Sequence, residues 1–211
     1  MTKPREDGDQ RSERKRAAIL DAAAGLFLEH GYAATSMDEV ARRASVSKQT
    51  IYAQFTRKEA LFDAMVRRLT HGAGDRVQVG LDAPPEGVSL TAHLVGYAVR
   101  QLAIARTPML MQLRRLVIAE AARFPELGRA LYEGGPGRAI AGLAQAFARW
   151  DAQGLLDTPD PQAAASYFNW LIMGEPVNRA MLLGDAAVPG PAALERHANE
   201  AVRIFMAAFA R

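Results

Sequence analysis

Four neighbouring polar side chains have the chemistry needed to bind bases and phosphates. Gln49 can donate and accept hydrogen bonds together, as adenine requires in the major groove, and Thr50 can offer its hydroxyl or its methyl group. Lys48 can reach guanine or a phosphate oxygen, and Tyr52 carries a hydroxyl suited to phosphate on an apolar ring. This grouping predicts contacts with nucleic acid.

Residues that usually carry enzymatic or metal chemistry are few and scattered. The 211 residues include no cysteine, which excludes disulfides, thiolate catalysis and cysteine-ligated metal sites. The four histidines have neither metal-ligand spacing nor a neighbouring nucleophile. The Gly-rich run at 134–137 lacks the preceding strand and the Lys-Ser/Thr continuation of a phosphate-binding loop. An enzyme is the alternative class of protein, and the sequence gives it little support. We therefore expect no catalytic residue, metal or cofactor.

Two short amphipathic helices would position the polar group. Ser36, followed three residues later by Glu39, predicts the start of the first helix, and Ser47 predicts the start of the second. If Ile51 and Phe55 point inward, the opposite face of the second helix presents its polar side chains to solvent. Two short helices with a tight turn between them have helix-turn-helix spacing, in which the second helix enters the major groove.

The distribution of charge and of helix-breaking glycine and proline residues divides the chain unevenly. Residues 1–71 hold 13 Lys or Arg against 10 Asp or Glu, whereas residues 72–211 hold 13 against 13. We predict a flexible arm at 1–11, a helix-turn-helix domain at 12–71 and a helical domain at 72–211. Further helices are expected at 89–105, 108–122, 125–133, 137–153, 161–183 and 192–210. In no segment do apolar and polar residues alternate with a period of two, as in a strand. The predicted fold class is therefore all-α.

The chain shows no signal for export or membrane insertion. Its charged N-terminus is not followed by the apolar core of a secretory signal. No stretch approaches the roughly 18 apolar residues that a membrane span needs. We therefore expect a cytoplasmic protein without a membrane partner.

The N-terminal third resembles the TetR/AcrR family of bacterial transcription regulators over about residues 12–65. The residues that carry the resemblance are Ala17 to Ala23, Phe27, Gly31-Tyr32, Thr35-Ser36-Met37, Ile51-Tyr52, Phe55 and Lys58-Glu59-Ala60-Leu61. Two departures stand out: Ser45 occupies a turn position that is usually glycine, and Ala53 with Gln54 replaces bulkier aromatic or basic residues. Ser45 is therefore expected to adopt a left-handed conformation, and the operator sequence cannot be transferred from the family.

The resemblance and the helix pattern together predict the residues that contact double-stranded operator DNA. Polar side chains on the second helix would reach the bases, while residues at helix starts would hold phosphates. The predicted set is Arg16, Thr35, Ser36, Ser47, Lys48, Gln49, Thr50, Tyr52, Gln54 and Lys58.

The C-terminal two thirds are expected to dimerise and to bind an unidentified, largely apolar effector. Residues 115–127 resemble the C-terminal domain of an AefR-like subgroup. Apolar stripes on the helices at 137–153 and 161–183 are interpreted as a homodimer seam, with purely intramolecular packing as the alternative. Polar or soft groups on the middle helices are the candidate effector contacts, namely Tyr97, Met111, Arg114, Trp150, Asn169, Trp170, Met173 and Asn178.

The resemblance implies a ligand-released repressor that binds a palindromic operator as a homodimer. The alternative is a DNA-binding protein of the same fold that has no small-molecule effector. Whether the protein represses or activates depends on where the operator lies relative to a promoter, which no residue encodes.

Overall fold

The computed structural model describes the backbone of residues 5–78, 81–187 and 189–211. It describes the side chains of these residues except those of 5–9, 71, 73–78 and 185. The described residues form ten α-helices, one 3₁₀ turn at Asp185–Ala187 and one isolated bridge between Leu156 and Ala210. This confirms the all-α prediction. No described helix has both the length and the apolar character to cross a membrane.

The helices follow one another with short connections. They are α1 (Arg5–Ala34), α2 (Met37–Arg43), α3 (Lys48–Gln54), α4 (Lys58–Gln78), α5 (Leu90–Ala105), α6 (Pro108–Glu120), α7 (Pro125–Gly134), α8 (Pro136–Ala152), α9 (Pro161–Leu183) and α10 (Pro191–Phe209). The six predicted helices after residue 88 agree with α5 to α10 to within two residues at each end. Five of these six helices begin with a proline, because a first-turn residue needs no amide hydrogen.

The helix α1 begins before its apolar stripe. It begins at Arg5, whereas the apolar stripe starts near Ser12, because residues 5–11 contain no apolar side chain that could mark the helix. Its regular part stops at Gly31, whose φ of 83° lies in the left-handed region that favours glycine. The regular helix therefore ends at Gly31. Residues 5–11 are helical, whereas a flexible arm was expected at 1–11.

The chain divides into two compact units. One contains Met1–Leu69 with Arg115–Leu131, and the other contains Thr70–Arg114 with Tyr132–Arg211. The sequence did not predict that residues 115–131 join the N-terminal helices. Aromatic packing within this unit accounts for the grouping, since the Phe124 ring lies edge-on to Tyr32, with centroids 4.7 Å apart. The predicted domain bounds at 12–71 and 72–211 remain predictions.

The second unit is built around α5, α8, α9 and α10. In its core the Phe147 ring stacks on the Phe205 ring, with centroids 5.0 Å apart. The centroid of the Phe168 ring lies 4.7 Å from that of Phe205. The predicted apolar stripe of α8, from Ile140 to Trp150, lies in this core. These side chains therefore pack within the chain, and the homodimer seam remains a prediction. Gly135 alone separates α7 from α8, as expected for a connection between helices.

The turn between α2 and α3 is a Schellman motif with serine at its left-handed position. Ser45 has a φ of 53°, its N–H donates to the Arg42 carbonyl, and the Val46 N–H donates to the Ala41 carbonyl at 3.0 Å. These are the two hydrogen bonds that close such a helix end. The expected left-handed residue is confirmed, and the side chain of Ser45 carries the steric cost that glycine would avoid.

We expect Ser45→Gly to stabilise the protein by about 0.5–1 kcal/mol, because relief of the left-handed strain exceeds the extra entropy of glycine in the unfolded chain. Chemical denaturation measures the free energy of unfolding. Ser45→Ala is the matched control, since it retains the Cβ and with it the strain. Equal stability of Ser45→Gly and Ser45→Ala would show that the turn is unstrained.

Candidate nucleic-acid interface

Burial of one face of α3 leaves the other face exposed. Ile51 is 0% exposed and Phe55 is 3% exposed, as the sequence predicted. Lys48, Gln49 and Ala53 are exposed, and Tyr52 keeps 48% of its surface accessible. Because Ile51 and Phe55 fix the rotation of α3 about its axis, its polar side chains point into solvent together.

The predicted contacts Ser36 and Ser47 first act as helix caps. The Oγ of Ser36 accepts a hydrogen bond from the Glu39 N–H at 3.2 Å, and the Oγ of Ser47 accepts one from the Thr50 N–H at 3.1 Å. A second hydrogen bond of 2.8 Å joins the Ser47 and Thr50 hydroxyls. Both serines are exposed, so each keeps acceptor or donor capacity toward solvent while it holds the start of its helix.

Two ion pairs tie α2 to its neighbours. The Lys48 ammonium on α3 binds the Asp38 carboxylate, which raises the pKa of Lys48. Arg43 donates two hydrogen bonds, of 2.7 and 2.9 Å, to the Glu29 carboxylate on α1, and this lowers the pKa of Glu29. Lys48 would have to leave Asp38, or share its charge with it, to contact DNA.

Two predicted phosphate contacts have intramolecular roles instead. Thr35 is 1% exposed, and its hydroxyl donates to the carbonyls of Leu26 and Gly31. The Lys58 ammonium donates to the carbonyls of Tyr32 at 2.8 Å and Thr35 at 3.0 Å, and also reaches Ala33. The structure therefore gives no support to phosphate binding by either side chain.

The half-buried position of Lys58 explains its role. Its ammonium lies 4.4 Å from the centroid of the Tyr32 ring, and burial is the main cause of its lowered pKa. Carbonyls near the kink at Gly31 lack a regular helical partner, and a cation there compensates them. Lys58 thus fastens the start of α4 to the end of α1.

Arg16 and Gln54 both connect α1 with the end of α3. The Arg16 guanidinium lies 4.5 Å from the centroid of the Phe55 ring. Gln54 donates from Nε2 to the Ser12 carbonyl at 3.4 Å, and its Oε1 is buried without a partner among the described residues. Their predicted contacts with DNA remain predictions.

The predicted effector residues separate into buried and exposed groups. Five are buried in the second unit, namely Tyr97, Met111, Trp150, Asn169 and Met173. Arg114 is half-buried and donates to the Ala105 carbonyl at 2.8 Å. Trp170 is 51% exposed, and Asn178 is exposed and donates to the Gly174 carbonyl of its own helix. Trp170 and Asn178 therefore lie on the exposed side of α9, and all eight effector contacts remain predictions.

The sequence prediction missed Gln101. This side chain is 4% exposed and donates from Nε2 to the Asn169 Oδ1 at 2.8 Å. The Gln101 Oε1, the Asn169 Nδ2 and the Tyr97 hydroxyl are buried without partners among the described residues. Gln101 follows Tyr97 by four residues on α5, so helical spacing was the signal that could have revealed it.

A helix-turn-helix with an exposed polar second helix, followed by a second all-helical unit, defines the class of DNA-binding transcription regulators. Residues 19–65 match the family described as bacterial regulatory proteins of the tetR family. Residues 92–211 match the C-terminal domain of AefR-like transcriptional repressors. The chain belongs to the TetR family of transcriptional regulators, and it is not an enzyme.

Solved structures and curated relatives agree with this assignment. A TetR-family regulator from Mesorhizobium loti MAFF303099 is 38% identical, with a TM-score of 0.87 over 95% of this chain and 99% of that one. The flavonoid-responsive regulator FrrA is 33% identical, with a TM-score of 0.78 over 94% and 98% of the two chains. The transcriptional repressor ComR of Escherichia coli K12 is 45% identical over 53 residues, which span a quarter of each protein.

The intramolecular role of Lys58 predicts that its loss lowers stability and leaves DNA binding unchanged. We expect Lys58→Met to cost about 2 kcal/mol of unfolding free energy, because the carbonyls it binds lose a charged donor. The salt dependence of DNA binding should stay unchanged. Chemical denaturation and DNA titrations at several salt concentrations measure the two effects.

Arg57→Met is the matched control, because Arg57 is the exposed neighbouring cation. It should leave stability within about 0.5 kcal/mol of wild type. A normal stability of Lys58→Met with a flatter salt dependence would restore the phosphate contact and contradict the structural role.

Proposed function

We propose that the protein is a homodimeric repressor that binds an inverted-repeat operator and is released by a small, largely apolar effector. The observation that carries this proposal is the exposed polar face of α3, held in place by the burial of Ile51 and Phe55. Two recognition helices about one turn of DNA apart, roughly 34–36 Å, would enter successive major grooves of a palindrome. The AefR-like repressor match supports the sign of regulation.

Base readout would rest on the first two turns of α3. The Gln49 amide suits the donor–acceptor pair of adenine, and Thr50 can contact a base through its hydroxyl or methyl group. Tyr52, with half its surface exposed, would donate its hydroxyl to a phosphate. A role on bacterial DNA also implies a cytoplasmic location.

Exposed apolar side chains on α9 and α10 support the homodimer. Tyr167 and Trp170 are 62% and 51% exposed on α9, and Ile204 is 42% exposed on α10. Tyr167, Trp170 and Gly174 follow at helical spacing, so they share one face of α9. Large aromatic residues that the core of their own unit leaves uncovered are typical of protein interfaces.

The effector would bind in the second unit. The unpartnered polar atoms of Tyr97, Gln101 and Asn169 lie within an apolar core, which suits a molecule that is mostly apolar with a few hydrogen-bonding groups. FrrA, which is described as flavonoid-responsive, is similar over 94% of this chain. Flavonoids combine aromatic rings with hydroxyl and carbonyl groups, so they are the first class to test.

Release from DNA would follow from a change in the spacing of the recognition helices. The helices α4 and α6 each contribute residues to both units, and the chain is continuous through them. An effector that favours a second spacing by about 3 kcal/mol would weaken operator binding more than a hundredfold.

Selection of binding sites from a random DNA pool tests the DNA-binding proposal. Wild-type protein should enrich an inverted repeat. Gln49→Ala and Thr50→Ala should change the preferred bases, because they remove contacts to base edges. Tyr52→Phe should weaken binding to all sequences alike, because it removes only a phosphate contact.

Sequencing of the enriched pools gives the comparison. Tyr52→Phe is a conservative control, since it keeps the ring and loses one hydroxyl. A shift in preferred bases for Tyr52→Phe as large as that for Gln49→Ala would contradict the assignment of roles. Enrichment of single half-sites by wild type would contradict the dimer.

Thermal unfolding in the presence of a panel of flavonoids tests the effector proposal. A flavonoid that binds the folded protein at 100 times its Kd should add about 2.7 kcal/mol of stability and raise Tm. The flavonoid, over the same concentration range, should release the protein from an operator obtained by site selection. Tyr97→Phe should weaken the flavonoid about tenfold without altering DNA binding, because it removes one buried hydrogen-bonding group.

Leu182→Ala is the control, since Leu182 is 80% exposed and away from the core. A rise in Tm with no release of the operator would refute the release mechanism. Equal weakening of flavonoid binding by Leu182→Ala and Tyr97→Phe would move the effector away from Tyr97.

A further inference from the structure

Two open grooves flank the recognition helix. The groove between the start of α1 and α3, here the α1–α3 groove, has a volume of about 500 Å³ and is lined by Arg11, Ser12, Lys15, Gln49, Thr50, Ala53 and Gln54. The α2–α3 groove, of about 420 Å³, is lined by Asp38, Glu39, Ala41, Arg42, Val46 and Lys48. They differ in charge although both border the exposed face of α3.

The α2–α3 groove is neutralised from within. Its two cations are matched by two carboxylates, as Lys48 binds Asp38 and Arg42 lies 3.9 Å from Glu39. A phosphate entering this groove would meet the carboxylates together with the cations. Its attraction for DNA is therefore weak.

The α1–α3 groove has cations and no carboxylate among its lining residues. Arg11 and Lys15 are exposed, and neither has an ion pair with a described carboxylate. They follow at a spacing of four on one face of α1, where like charges repel each other. A phosphate between them would relieve this repulsion.

Most other cations of the same unit are already engaged by the protein. Arg43 binds Glu29, Arg68 binds Asp21, and Arg67 binds Asp63. Arg16 lies over the Phe55 ring, and Lys58 binds main-chain carbonyls. Among the cations that line the two grooves beside α3, Arg11 and Lys15 are the two without a described ion pair.

Hydrogen-bond donors complete the α1–α3 groove. The hydroxyls of Ser12 and Thr50 and the amide of Gln49 line it beside the two cations. The Gln54 Nε2 donates to the Ser12 carbonyl at 3.4 Å, and the Arg16 guanidinium lies over the Phe55 ring, so two contacts join α1 to the end of α3 beside this groove. Cations and neutral donors together are what a sugar–phosphate backbone requires.

We propose that the α1–α3 groove holds the DNA backbone, with Arg11 and Lys15 contacting phosphates while Gln49 and Thr50 face the bases. This inference rests on the proposed DNA-binding function. It assigns the phosphate contacts to the start of α1, in place of Thr35 and Lys58, whose polar groups are used inside the protein.

Fluorescence anisotropy with a labelled duplex of arbitrary sequence tests the proposal without knowledge of the operator. The slope of log K against log salt between 50 and 200 mM counts phosphate contacts, at about 0.9 per contact. Arg11→Ala and Lys15→Ala should each reduce the slope by about one, and the double variant by about two. Both residues are exposed, so Tm should stay at the wild-type value.

Arg129→Ala is the matched control, because Arg129 is an exposed cation of the same unit and lines neither groove. It should change the slope by less than about 0.3. The conservative variants Arg11→Lys and Lys15→Arg should retain the wild-type slope, which shows that charge at these positions is what matters.

The outcomes distinguish this inference from the proposed function. A wild-type protein that binds no DNA at any salt concentration overturns both. A normal wild-type slope that Arg11→Ala and Lys15→Ala leave intact overturns only the α1–α3 groove. An equal loss of slope in Arg129→Ala also overturns it, since the effect would then reflect total charge.

Discussion

A helix of seven residues cannot hold its own position, because isolated helices shorter than about 12–15 residues are marginal in water. The orientation of α3 therefore depends on Ile51 and Phe55, which are buried under its inner face. The Ser47 cap and the left-handed turn at Ser45 set where α3 begins. Every outward-facing side chain of α3 takes its direction from these few contacts, and a change of rotation would turn Gln49 and Thr50 away from a groove.

Charge in the N-terminal unit is used mainly to join helices. Glu29 with Arg43, Asp21 with Arg68 and Asp38 with Lys48 each connect two different helices. Exposed pairs of this kind add little stability individually, so their larger effect is on where positive charge remains available. A net charge of +3 over the whole chain conceals this distribution. At the proposed DNA interface, the charge available to phosphates is the charge that remains unpaired beside α3.

Local rules predicted much of the fold. Ser36 and Ser47 mark helix starts through hydrogen bonds that involve only near neighbours, and the structure has both as expected. Contacts distant in sequence were not predictable in this way. Lys58 binds carbonyls more than twenty residues earlier, so near the start of a helix it resembled a phosphate ligand. The packing of Phe124 against Tyr32, which places residues 115–131 with the N-terminal helices, is likewise invisible to periodicity.

Periodicity also cannot distinguish a core from an interface, because both need an apolar stripe of the same spacing. The stripe of α8 looked as suitable for a dimer seam as that of α9, yet its large side chains Ile140, Leu143, Phe147 and Trp150 are buried within their own unit. On α9, Phe168 and Ile172 face the same core while Tyr167 and Trp170 stay exposed on the other side. A helix with apolar residues on two faces has more apolar surface than one core can cover. The exposed apolar face of α9 is therefore the part of the stripe that a partner chain would cover.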